Sequence, residues 1–248
     1  MTGLHRAPSH AMILAAGKGT RMGNLSDKRP KPLTHVAGRC LLDRILAHLS
    51  AAHVDNIVVN VHHLASQMET YLTPLIERGT VTISDERNGL LETGGGVKKA
   101  LPLLGTDPFF VINGDALWTD VGQSNLARLK GAWNPTDMDV LLLLVKRDEA
   151  LGYEGAGDFF AQEGTGATPL QFRGDAENAP YVFGGVQIVC PDLYQDMPEG
   201  AWSNREIFRK AVAQGRLYGL EIDGSWMHVG TAEAIMAAEK KLVQLGVK

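Results

Sequence analysis

Residues 14–33 read Leu-Ala-Ala-Gly-Lys-Gly-Thr-Arg-Met-Gly-Asn-Leu-Ser-Asp-Lys-Arg-Pro-Lys-Pro-Leu and gather cations around a glycine turn. The apolar run Ala11, Met12, Ile13, Leu14 feeds directly into Gly17 and Gly19. Lys18 and Arg21 lie in that turn, and Lys28, Arg29 and Lys31 follow, with Pro30 and Pro32 stiffening the second cluster. Glycine permits backbone to approach a ligand closely, and the exposed N–H groups of such a turn bind anions. Cations converging on one glycine turn suit a polyphosphate, whose several charges must be neutralised together. The plainer alternative is a strand–loop connection with solvated lysines. It accounts less well for a loop that is long, basic and proline-stiffened at once.

Two phosphate motifs fail here. A Walker A loop needs Gly-x-x-x-x-Gly-Lys-Ser/Thr, and Gly17 and Gly19 offer no such spacing. A dinucleotide fingerprint needs Gly-x-Gly-x-x-Gly, but the third glycine position is Met22, and Gly23 comes one place late. That fingerprint also wants an acidic residue at the end of the second strand, where this chain has Asn60. Asp115 follows the apolar run 109–112 within Asn113-Gly114-Asp115. A carboxylate at a strand's carboxyl end fits Mg²⁺, which takes one or two carboxylates and completes its shell with phosphates and water. The competing role is a turn aspartate bonded to its own backbone. The His62-His63 pair reads as a helix-entry turn, because no second His or Cys cluster accompanies it as a zinc site requires.

The run Leu-Ala-Ala-Gly-Lys-Gly-Thr-Arg-Met at 14–22 with Pro-Lys-Pro at 30–32 resembles the signature of the sugar-1-phosphate nucleotidylyltransferases. Further matches follow in order: Leu-Glu-Thr-Gly-Gly-Gly at 91–96, Val-Ile-Asn-Gly-Asp at 111–115, and Trp-Met-His-Val-Gly-Thr at 226–231. Within that family, the short chain and the runs at 91–96 and 113–120 are most similar to N-acetylmuramate-1-phosphate uridylyltransferases of bacterial cell-wall recycling. The resemblance implies in-line attack of a sugar phosphate oxygen on the α-phosphorus of an NTP, with loss of pyrophosphate. It favours UTP with N-acetylmuramate 1-phosphate. The alternatives are a mannose- or heptose-1-phosphate guanylyltransferase and, from another class, an inactive sugar-nucleotide-binding regulatory module.

Such chemistry asks a protein for charge and positioning rather than a nucleophile. On this resemblance Arg21 suits the β and γ phosphates, and Lys31 the α-phosphate and the incoming sugar phosphate. Ala16, Gly17, Gly19 and Thr20 would line the triphosphate, with Asn88 and Gly94 towards the base. Asn113 and Asp158 would meet the sugar, and Arg173 is the cation found in the later hairpin region. The catalytic set is Arg21, Lys31 and Asp115, with Mg²⁺ as cofactor.

One position departs from the family pattern. Most relatives carry an aspartate in the last motif, as the second magnesium ligand, where this chain has His228. Imidazole suits Mg²⁺ less well than Mn²⁺ or Zn²⁺. Three roles stay open for His228: a metal ligand, directly or through water; a phosphate contact; or packing that leaves Asp115 to hold the metal alone.

These residues need a scaffold that brings them to one edge. Short apolar runs at 11–15, 57–60, 81–84, 109–113 and 139–145 predict strands. Helices are expected at 41–52, with Leu41, Leu42, Ile45, Leu46 and Leu49 on one face, and at 64–76, with Leu64, Met68, Tyr71, Leu72 and Leu75 inward. Others are expected from 94–96 to near 104, and at 123–130, 204–214 and 232–245. Strands are further expected at 158–161, 181–189 and 217–222, among the glycines of the segment after 150. Such β-α-β alternation predicts an α/β, Rossmann-like, mostly parallel sheet with helices on both faces and a small β-rich sugar-binding insertion. Ligands of open α/β sheets bind beyond the carboxyl ends of the strands, which gathers Gly17, Asn60 and Asp115 on one rim.

The chain has 248 residues, a formal charge of −4, 44% hydrophobic and 21% charged residues, and two cysteines, Cys40 and Cys190. That is an ordinary soluble composition with one sizeable core. The absence of net positive charge speaks against nucleic acid as a partner. No apolar run spans a membrane, residues 1–10 read as a loose tail without the apolar stretch of a signal peptide, and two distant cysteines suit a reducing, cytoplasmic setting. A single domain over 11–248 is expected, nucleotide-binding in 11–150 and sugar-binding in 151–248, as a monomer or small homo-oligomer.

Overall fold

The computed structural model describes residues 8–19, 28–162, 164 and 166–247. Thr20 and Arg21, both expected at the triphosphate, lie outside the described residues, as do residues 1–7 of the expected tail. Among the described residues, thirteen strands and six α-helices are present. The first half runs β1 (His10–Leu14), β2 (His35–Val36), β3 (Arg39–Cys40), α1 (Leu41–Ala51), β4 (Asn56–Val61), α2 (Ala65–Glu77), β5 (Val81–Asp85), α3 (Glu92–Leu104), β6 (Phe109–Asn113) and β7 (Leu117–Trp118). It continues through α4 (Asn125–Ala132), β8 (Val140–Lys146), β9 (Phe159–Ala161), β10 (Thr168–Phe172) and β11 (Tyr181–Val189). The chain closes with α5 (Arg205–Ala213), β12 (Leu217–Glu221), β13 (Trp226–Met227) and α6 (Ala232–Gln244).

Nine strands form one sheet in the order β5-β4-β1-β6-β11-β8-β12-β10-β9. The first four are mutually parallel, and β8 and β12 are parallel to each other. β11 runs antiparallel between β6 and β8, and β9 and β10 extend the far edge as an antiparallel pair. The Rossmann-like, mostly parallel sheet is therefore present, and the expected hairpins after 150 are part of it.

Strands buried on both faces read as continuous apolar runs, and Val-Leu-Leu-Leu-Leu-Val in β8 does so. Its alternate residues divide between two cores. Leu141, Leu143 and Val145 join α1, α2 and α4 on one face; Leu142 and Leu144 join α3 and α5 on the other. A smaller core of Val36, Leu41, Leu117, Met227, Val229, Ala238 and Leu242 seats α6 against the two-stranded β7/β13 ribbon. In α1, Leu41, Leu42, Ile45 and Leu49 are buried as their spacing predicts. Tyr71 of α2, expected inward, lies exposed. Its hydroxyl donates to Asp43 Oδ2 (2.8 Å) and lies 3.3 Å from Cys40 Sγ, so the polar tip is held against the start of α1.

The carboxyl ends of β1, β4, β5 and β6 share one rim, and a buried polar network ties three of them together. Asn60 is almost wholly buried in β4, and its Oδ1 accepts from the backbone N–H groups of Ala15 (2.6 Å) and Ala16 (3.2 Å) just past β1. Its Nδ2 donates to Oε1 of the buried Glu86 (2.7 Å), beyond β5, and Glu86 Oε2 accepts from the N–H of Leu91 (3.1 Å). One side chain thus fixes the start of the glycine turn, and its partner carboxylate fixes the loop into α3. Buried polar groups are costly unless each finds such a partner.

Asn60→Ala strands two N–H groups and one oxygen of Glu86, so it is expected to destabilise the fold by about 3–5 kcal/mol, read as a lower urea midpoint. Asn60→Asp presses a second carboxylate against Glu86, and the folded pair then retains a proton that the unfolded chain releases. A raised proton affinity in the folded state contributes stability at low pH and loses it as pH rises. Asn60→Asp should therefore recover midpoint on acidification towards about pH 5, and Asn60→Ala should not.

Candidate functional site

Lys31 opens a short 3-10 turn, Lys31–Leu33, directly after Pro30, with Pro32 and Leu33 buried beneath it. The prolines restrict the backbone, so the lysine is held with little further loss of freedom. Its ammonium donates to Asp115 Oδ2 at 2.5 Å. The Lys31 side chain is 10% exposed and that of Asp115 34%, so the carboxylate is the more open partner. Asp115 reaches this place because Gly114 N–H donates to Leu14 O (2.9 Å), locking the turn after β6 against the end of β1. A Cβ on Gly114 would stand 2.7 Å from that oxygen and 3.0 Å from Pro32 Cγ, so only glycine lets β1, the Lys31 turn and Asp115 converge.

Two cavities meet at this pair. The first, of about 300 Å³, is lined by Ala15, Ala16, Gly17, Gly19, Lys31, Asn60, Leu90, Glu92, Thr93 and Gly114 among others. The second, of about 840 Å³, runs beneath β11 and α6 and takes in Tyr153, Asp158, Phe183, Gly185, Arg205, Trp226 and His228. Leu14, Thr93, Asn113 and Asp115 belong to both walls. Glu92, at the mouth of the first, holds φ of +59°, an uncommon backbone state for a residue with a side chain.

The site residues expected from sequence divide as follows. Ala16, Gly17, Gly19 and Lys31 line the first cavity; Asn113 and Asp115 line both; Asp158 and His228 line the second. Asn88 is exposed on the loop after β5, and neither it nor Gly94 is in either lining. Gly94, Gly95 and Gly96 are packing glycines. Added Cβ atoms would stand 2.1 Å from the Trp202 ring, 2.0 Å from Gly200 O and 2.7 Å from Glu86 Oε1. Arg173 serves its own loop, donating to Gly157 O (3.2 Å) and Ala176 O (2.6 Å).

In the second cavity, Asp158 Oδ2 accepts from the N–H of Phe183 (3.1 Å), and Oδ1 faces Arg205 Nη1 (3.4 Å). Burial and the nearby Asp158 push the Tyr153 phenol up, keeping it protonated, and its oxygen accepts from Gly157 N–H (3.3 Å). Trp226 Nε1 donates to Gly184 O (2.9 Å), anchoring the β7/β13 ribbon under β11. Met227 pairs with Leu117 in that ribbon, so the next residue, His228, continues towards Ala116, beside Asp115. The imidazole stacks on Trp226 (centroids 6.1 Å apart, planes at 29°) and its backbone N–H donates to Leu151 O (2.8 Å). Among the described residues, no group of three or more His, Cys, Asp or Glu side chains is arranged to hold a metal. His62 lies shortly before α2, and its Nδ1 bonds the backbone oxygen of Glu86 in the loop after β5 (2.8 Å).

Three residues of this site escaped the sequence reading. Asn60 was placed on the rim, but as a strand end lacking the dinucleotide-binding acid and with no bonding role of its own. Its position inside Val-Val-Asn-Val was the available signal, since a polar residue in a buried strand must be satisfied by something specific. Glu86 stood among five polar loop residues with nothing to single it out. Arg205 lies at a helix start, remote in sequence from every motif.

A profile of the MobA-like NTP transferase domain matches residues 11–165. The chain is 42% identical to an N-acetylmuramate α-1-phosphate uridylyltransferase of Caulobacter vibrioides, covering 97% of this chain and 100% of that protein. It is 34% identical to a protein of the same name from Neisseria meningitidis serogroup B, over 92% and 96% of the two chains. The fold superimposes on a UDP-glucose pyrophosphorylase crystallised with UDP-glucose with a TM-score of 0.76, at 15% identity, covering 96% and 99%. The chain belongs to the MobA-like NTP transferase family, as a nucleotidyltransferase akin to the N-acetylmuramate α-1-phosphate uridylyltransferases.

Proposed function

We propose that this nucleotidyltransferase joins UTP to N-acetylmuramate 1-phosphate, releasing pyrophosphate. The observation that carries the reading is the Lys31–Asp115 pair, whose carboxylate belongs to the common wall of two cavities and whose lysine lines the first. A reaction between two polyanions needs one compartment for each and a charge-neutralising group where they touch. The smaller cavity, framed by the backbone of Ala15 to Gly19, suits the nucleotide. The larger suits a substituted pyranose.

The sugar phosphate oxygen attacks the α-phosphorus, the bond to the β-phosphate oxygen breaks opposite, and pyrophosphate leaves with that electron pair. Lys31 draws the α-phosphate and the sugar phosphate to one point and offsets their charge as the transition state forms. Arg21, with a planar fork of donors, suits the departing pyrophosphate. Asn113 reaches the sugar side of the junction. The carboxylate of Asp115, facing both cavities, fits Mg²⁺, with His228 the neighbouring candidate and the remaining ligands drawn from phosphates and water. Bound there, Mg²⁺ would neutralise phosphate charge.

Pyrophosphate exchange with each of the four common NTPs tests the base, and product formation over a panel of sugar 1-phosphates tests the sugar. UTP with N-acetylmuramate 1-phosphate is expected to turn over fastest, and exchange with GTP but none with UTP would sink the assignment. Lys31→Ala and Asp115→Asn should each lower kcat by roughly a hundredfold or more, with smaller changes in KM, because each acts on charge that builds in the transition state. Chelation of divalent ions should abolish turnover, and added Mg²⁺ should restore it in the wild type but not in Asp115→Asn.

A further inference from the structure

The second cavity has two ends. At one, Asn113 and Asp115 meet the nucleotide cavity; at the other lie Asp158 and Arg205. β11 gauges the distance between them. A Cβ on Gly185 would lie 3.2 Å from Asn113 Nδ2, whereas Asp158 Oδ2 accepts from the N–H of Phe183, two residues away along the strand. β11 is irregular here, with Gly185 at φ +80° inside a register shift between Phe183 and Gln187, so two residues span at most about 7 Å, within the length of a pyranose with its substituents. A sugar whose phosphate sits at the reacting junction therefore presents its remote substituents to Asp158 and Arg205.

Arg205 is the one Lys or Arg among the described residues of that lining. Its guanidinium carbon stands 5.2 Å from the centroid of the Phe172 ring, and Asp158 Oδ1 braces Nη1 at 3.4 Å. That is the one hydrogen bond its guanidinium makes among the described residues, and its side chain is 50% exposed. A stacked, braced guanidinium is preorganised, and its other N–H donors match a carboxylate in two-point geometry. Neutral hydroxyls call for no such charge. The cavity also carries Glu154 and Glu233, whose field opposes an anionic ligand and makes a fixed cation more necessary for one.

We propose that Arg205 is a specificity-determining residue that receives a carboxylate carried on the sugar ring away from its phosphate. The inference rests on the function proposed above, where that group is the lactyl carboxylate of N-acetylmuramate. The test compares N-acetylmuramate 1-phosphate with N-acetylglucosamine 1-phosphate, which shares ring, acetamido group and phosphate but has a hydroxyl in place of the lactyl ether. With UTP and Mg²⁺, the ratio of kcat/KM for the first sugar over the second should fall about 10–100-fold in Arg205→Ala. The loss should appear mainly in KM, with a similar fall in Arg205→Gln and partial recovery in Arg205→Lys. Equal losses on both sugars would mark the arginine as a brace for Asp158 and overturn the inference, as would an unchanged ratio. A wild-type enzyme that turns over neither sugar with UTP would instead overturn the underlying reading, and the inference with it.

Discussion

The ion pair between Lys31 and Asp115 is the constraint around which this molecule is arranged. The two residues lie 84 positions apart in sequence. They meet because β1 and β6 are neighbours in the sheet and because Gly114 lets the turn after β6 press against Leu14 and Pro32. A half-buried pair of this kind adds little net stability, since desolvation offsets most of its attraction. Its value is in readiness. On the function proposed above, a lysine lodged on a carboxylate is aimed at the place where phosphate charge would arrive, and it could exchange one anion for another without crossing solvent. On the same reading, the carboxylate it releases would face that charge as a ligand for a cation.

Holding such a pair in register demands that the loops around it be rigid, and the protein achieves this with polar groups buried in apolar surroundings. Asn60 occupies a position where an aliphatic residue would pack well. It instead fastens the glycine turn to β4 and passes the constraint to Glu86 and Leu91. Loops supported in this way can present backbone N–H groups to a phosphate without rearranging, which is where electrostatic preorganisation draws its strength. The three glycines at the start of α3 let the helix close down on that network and on Trp202.

Much of this was legible in the chain before any coordinates. The periodic apolar runs located the long helices and every long strand but β10 to within a few residues, because burial on two faces leaves a strong imprint in β1, β4, β6 and β8. The two-residue ribbons β2/β3 and β7/β13 left none, being shorter than any period. Neither did the insertion of β11 between β6 and β8, since strand order depends on long-range pairing that composition does not encode. At the site, Lys31 and Asp115 were legible because their neighbours, prolines and glycine, have a conformational meaning of their own. Asn88 and Gly94 illustrate the limit. Their polarity and smallness fit a base-reading loop equally well, and only packing places one in solvent and the other beneath an indole.

The two cavities also differ in what they ask of charge. The smaller is lined by the turn Ala15, Ala16, Gly17 and Gly19 together with Lys31, which on the proposed function makes it a general receptor for phosphate that carries little information about the rest of a ligand. The larger mixes Glu154, Asp158 and Glu233 with Arg205, His228 and the aromatic faces of Tyr153, Phe183 and Trp226. Mixed charges over an apolar floor discriminate, because each polar group left unmatched by a wrong ligand costs more than a matched one gains. On the proposed function, selection of the sugar would therefore reside in the segment after residue 150, where helix starts and hairpins supply much of this lining. The smaller cavity stays tied to the sheet by β1, the turn at Lys31 and the turn at Asp115.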